Sequence, residues 1–73
     1  MEIDYSELEE LFTVEPVTTF KIFREMVSIH TPRLNDREFR AIHNFCKKYN
    51  YSVDIEVNTF HEMMINLDKI TVR

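Results

Sequence analysis

The chain reads as a single α+β domain with element order α-α-α-β-α-β and a two-stranded sheet that dimerisation completes. Three observations predict this. Apolar residues recur at helical spacing in four segments, one stretch alternates strictly between apolar and polar, and a short β-branched run closes the chain. At 73 residues there is room for one domain, spanning 1–73. A chain this short buries only about 60% of its unfolded surface, so the core is thin.

The first helix is expected over roughly 6–13, with Asp4 or Ser6 as its cap. Leu8, Leu11 and Phe12 form one apolar face, and Glu7, Glu9 and Glu10 stand in the first turns, where the helix dipole favours acids. A second helix is expected from Pro16, a residue tolerated in a first turn, to about Ile29. Phe20, Phe23 or Ile22, Met26 and Val27 supply its stripe, and Thr31-Pro32 ends it. The third helix is the clearest. Asn35 and Glu38 have capping-box spacing, and Phe39, Ile42, Phe45, Cys46 and Tyr49 follow at helical period.

Tyr51, Val53, Ile55 and Val57 then alternate with Ser52, Asp54 and Glu56, which predicts a half-buried strand. Thr59 and Glu62 have the spacing of a second capping box, opening a short helix through Phe60, Met63, Met64 and Leu67. Ile70-Thr71-Val72 reads as a closing strand. Glycine is absent, so helix ends and turns must use other residues. Asn50, Asn58 and Asn66 stand where element ends are wanted.

Cys46 is the only cysteine, which rules out a disulfide within the chain and suits a reducing compartment. The acidic start has no basic region followed by an apolar run, and no stretch is long enough to span a membrane. A cytoplasmic location is therefore expected, with no membrane association. The thin core and small sheet predict a homodimer.

The net charge of −4 is segregated. Residues 1–15 carry Glu2, Asp4, Glu7, Glu9, Glu10 and Glu15 and no base, which makes −6. Residues 16–49 carry +4, with Arg33, Arg37, Arg40, Lys47 and Lys48 along one face of the third helix region. Residues 50–73 carry −2. Two binding surfaces follow. The six acids are candidates for contacting a basic surface on a partner protein. The five bases are candidates for contacting nucleic-acid phosphates, as in a small dimeric DNA-binding regulator.

Catalysis is not expected. Without glycine there is no phosphate loop or dinucleotide fingerprint, and Cys46 falls within an apolar face. Neither a metal nor a cofactor is expected. His43 and Cys46 supply only two ligands, and Ile65 stands where a zinc-protease helix after His61-Glu62 needs its second histidine.

In size, acidity, low cysteine content and glycine-free composition the chain resembles small phage-encoded host-takeover proteins. The resemblance extends to inhibitors of the bacterial sliding clamp, where Glu7-Leu8-Glu9-Glu10-Leu11-Phe12 partly resembles a clamp-binding peptide without its Gln. It implies a non-enzymatic inhibitor that occupies a host replication or transcription protein in the host cytoplasm. For a clamp, the acids would fill the DNA channel and the peptide mode would not be needed.

Overall fold

A computed structural model describes residues 2–70. The element order is α-β-β-α-β-β: α1 Ser6–Phe12, β1 Thr19–Phe23, β2 Met26–Thr31, α2 Asp36–Tyr49, β3 Tyr51–Val57 and β4 Met63–Lys69. The four strands form one antiparallel sheet in the order β1-β2-β4-β3. The expected order α-α-α-β-α-β, with two strands, is therefore corrected. The α+β character stands, with twice the expected sheet.

The expected helix from Pro16 to Ile29 is the β1–β2 hairpin. Phe20, Phe23 and Val27 mimic a helical spacing. The same segment also alternates, with Phe20, Ile22, Val27 and Ile29 on one face and Lys21, Ser28 and His30 on the other. Thr19, Ile22, Val27, Ile29 and Thr31 are β-branched, and such residues favour the pleated surface. Its two-residue loop, Arg24-Glu25, gives no glycine signal. Arg24 adopts the positive φ of 58° that a hairpin loop of this kind normally assigns to glycine.

The helix expected after Thr59 is β4. Ile65 and Leu67 point inward and Asn66 and Asp68 outward, so Asn66 lies mid-strand rather than at an element end. Thr59 and Glu62 form no capping box. Asn58 organises a turn instead: its Oδ1 accepts from Phe60 N–H at 2.9 Å and Glu62 N–H at 3.0 Å. Ile70 lies past the end of β4, and the rest of the expected closing strand falls outside the described residues.

Three expected elements are present. α1 occupies its expected place, although its cap position is Tyr5, with no side-chain hydrogen bond. The carboxylate of Asp4 accepts from both the N–H and hydroxyl of Ser6, which holds it below the usual carboxylate range. α2 starts on the reciprocal capping box of Asn35 and Glu38 and ends on Asn50 in the left-handed region. β3 begins one residue later.

Both helices cover one face of the sheet. The core consists of Leu8 and Phe12 from α1, Val27 and Ile29 from β2, Ile65 and Leu67 from β4, and the inner face of α2. An aromatic cluster closes one end, with Phe45 5.7 Å from Tyr5, 5.0 Å from Tyr49 and 4.9 Å from Tyr51 between ring centres. The Tyr51 hydroxyl donates to the Glu25 carbonyl at 2.6 Å. Burial pushes its phenol well above the ordinary range, and the neighbouring Tyr5 hydroxyl and Glu25 carboxylate add to the shift.

Candidate functional site

The two charged surfaces named from the sequence face each other. α1 lies against α2, and Glu7 and Glu10 line the same open groove as Arg37 and Arg40. At one end of the groove Glu15 lies with Arg33 and Arg37; at the other Asp4 and Glu7 lie with Lys48. The α1 wall therefore carries acids and no base, while the α2 wall carries the bases together with Asp36 and Glu38. Among the described residues none of these pairs closes to within 4.0 Å, so the arrangement is a loose, solvated complementarity. Glu2 borders a shallow hollow with Ile3 and Asp4, while Glu9 and Lys47 are exposed outside the groove.

This pairing changes what either surface can do. A phosphate approaching Arg37 and Arg40 also meets the carboxylates of Glu7 and Glu10. A basic partner approaching those carboxylates meets the two guanidinium groups. Each set lowers the field of the other at distances comparable with the Debye length of about 10 Å at 0.1 M salt.

Besides Glu2 and Glu9, a further group of acids without such a counterpart lies on the far side of the molecule. The sheet face away from the helices is uncovered. On its β3–β4 hairpin the outward residues are Ser52, Asp54 and Glu56 from β3 and Met64, Asn66 and Asp68 from β4. That surface carries three acids and no base. Ser52 stands opposite Asp68, Asp54 opposite Asn66, and Glu56 opposite Met64. The β1 side of the same face is less acidic, with Lys21 and Phe23 outward and Arg24 stacked 5.5 Å from the Phe23 ring centre. Asp54, Glu56 and Asp68 were absent from the sequence-derived surface because only two share a strand. The alternation over 51–57 signals Asp54 and Glu56, and Asp68 joins them only once β4 is known to be a strand.

The inner face of β3 is open as well. Val53, Ile55 and Val57 are aligned with Leu67, Ile65 and Met63. Leu67 and Ile65 have no exposure, yet Val53, Ile55 and Val57 keep 42%, 37% and 62% of theirs. Phe39 on α2 and Phe60 in the β3–β4 loop are also exposed.

For the other chemistry weighed from the sequence, Cys46 is buried and its thiol is pushed up by that burial. Among the described residues no group of three or more His, Cys, Asp or Glu is placed to hold a metal ion. His30 Nε2 lies 3.5 Å from Glu62 Oε1 across the open face, and it has no hydrogen-bond partner. No helix among the described residues is long and apolar enough to cross a membrane. Comparisons with protein-family models, with curated proteins and with solved structures find no match to this chain.

Proposed function

We propose that this protein acts without catalysis, by binding a protein that carries a basic surface, and that it inhibits a DNA-handling partner by occupying that surface. A bacterial sliding clamp is the concrete case that the sequence resemblance suggests. The observation that carries this reading is the outward face of the β3–β4 hairpin, where Asp54, Glu56 and Asp68 stand without a base among their cross-strand partners. The six N-terminal acids become secondary, because the arginines of α2 face two of them across the groove. The same groove weakens the DNA-binding alternative, since phosphates would approach Arg37 and Arg40 past like-charged carboxylates.

The test compares two charge reversals, each checked by circular dichroism for its fold. One is Asp54→Lys with Asp68→Lys; the other is Glu7→Lys with Glu10→Lys. Wild type is expected to capture a purified sliding clamp, or another DNA-binding protein from a bacterial lysate, with release by added salt or competing duplex DNA. The sheet-face reversal should weaken capture by about tenfold or more, and the α1 reversal by less. Capture unaffected by the sheet-face reversal contradicts the proposed surface. A gel shift of duplex DNA by the protein alone, abolished by Arg37→Ala with Arg40→Ala, would establish the regulator instead.

A further inference from the structure

We infer that the free edge of β3 is a strand-addition site for an extended segment of a partner protein in which apolar and basic residues alternate. This rests on the protein-binding reading and names the chemistry of the bound segment.

Among the described residues β3 is an outer strand, paired only with β4 through seven consecutive partners. Its other side therefore presents a row of backbone N–H and C=O groups with no strand against them. Outer strands are usually protected by shortness, proline, a bulge or lysine. β3 is seven residues long and regular and carries no proline and no lysine, so its protection is limited to the charges of Asp54 and Glu56. β1, the opposite edge, is five residues long, carries Lys21 and touches α1.

The helix-side face next to this edge is unfinished. α1 lies towards β1, and α2 touches β3. The margin of α2 against α1 includes Ala41, Asn44 and Lys48. At about 3.6 residues per turn, Phe39 falls on the opposite margin, towards β3, and it is 54% exposed. A strand added to β3 would lie about 4.8 Å beyond it. Its inward side chains would cover Val53, Ile55 and Val57, so those side chains should be apolar.

The outward side chains of the added strand would stand beside Ser52, Asp54 and Glu56. Opposite charges in directly facing pairs are favourable and like charges are not, so basic residues fit those places. The same rule disfavours a second copy of this chain. Antiparallel self-pairing over all seven residues sets Asp54 against Asp54 of the copy, and a shift centred on Ile55 sets Asp54 against Glu56. The charges that discourage self-association thus select a basic partner.

The test uses short synthetic peptides: one alternating Val and Lys, one alternating Val and Glu, and one Val/Lys peptide N-methylated on every second residue. Binding and amide exchange are followed by NMR on the full chain. The Val/Lys peptide is expected to slow exchange about tenfold or more at alternate β3 amides, those pointing away from β4. The Val/Glu and N-methylated peptides should bind about tenfold or more weakly in comparison. Val57→Lys, at a largely exposed position where folding is not at risk, should remove the protection.

No binding of the Val/Lys peptide overturns the inference, as does equal binding of the Val/Glu peptide. Binding without β3 protection, insensitive to N-methylation but lost in Asp54→Lys with Asp68→Lys, overturns strand addition while leaving the basic-partner reading intact. Protection of the same amides in a concentration-dependent dimer, without peptide, would make a second copy the occupant and overturn it too.

Discussion

The molecule consists of two units of the same order, α1-β1-β2 and α2-β3-β4, and they are built by different means. Their second strands, β2 and β4, pair antiparallel at the centre of the sheet, so the topology is that of an approximate two-fold axis between them. The first helix has seven residues and no side-chain cap; the second has fourteen, a reciprocal capping box and a left-handed Asn at its end. The first pair of strands has five and six residues, the second seven and seven. α2 is thus specified largely by local chemistry. A helix as short as α1 is not stable by itself. It is held by Leu8 and Phe12, which are almost fully buried against the rest of the core. Both units leave an outer strand with exposed residues, but β3 is seven residues long without lysine, whereas β1 is five residues long, carries Lys21 and touches α1. The unit with the stronger local code is also the one with the longer free edge.

That contrast can be broken most forcefully with two phenylalanines. Phe12→Ala should cost about 3–5 kcal/mol, because Phe12 is the anchor of a helix with little local support. Phe39→Ala should cost less than about 1 kcal/mol, because its ring is half exposed and serves the open margin. Urea unfolding of both variants checks the pair, and equal losses would dissolve the distinction between the buried anchor and the open margin.

The junction gives the next effect. Ile65→Ala, at the β2–β4 pair, should cost about 2–5 kcal/mol and leave one cooperative transition, since the two units share this core. A biphasic curve would show two independently stable halves. Removing the cap in Asn35→Ala should cost about 1 kcal/mol, while Ser6→Ala should cost only a few tenths, because no side chain caps α1. Tyr51→Phe should cost about 1 kcal/mol through the lost bond to the Glu25 carbonyl. The smallest expected effect is chemical. Cys46, buried and with its thiol shifted up, should react with thiol reagents far more slowly in the native chain than in denaturant.

The sequence was legible where local rules decide. Asn35, Glu38 and Asn50 mark α2 by hydrogen-bonding chemistry, and the polar residues between Tyr51 and Val57 mark β3 by strict period. It was misread where two periods coexist. Phe20, Phe23 and Val27 satisfy a helical spacing while the strands they belong to alternate, and Met63, Met64 and Leu67 do the same around β4. The β1–β2 turn is built on Arg24 in the left-handed region, a residue that carries no turn signal, while at the β3–β4 turn the signal of Asn58 competed with the capping-box spacing of Thr59 and Glu62. The functional surface suffered in consequence. Reading β4 as a helix separated Asp68 from Asp54 and Glu56. Reading the β1–β2 hairpin as a helix made the sheet too small, and the four strands now remove that ground for expecting a homodimer.

The proposed binding surface lies on the second unit. Hydrogen exchange, measured on the free protein and on the protein bound to a captured basic partner, tests this directly. Protection concentrated on residues 51–69, with the α1–α2 groove little changed, is the predicted result. Protection concentrated on α1 and the arginine face of α2, with β3 and β4 exchanging as in the free protein, would contradict it.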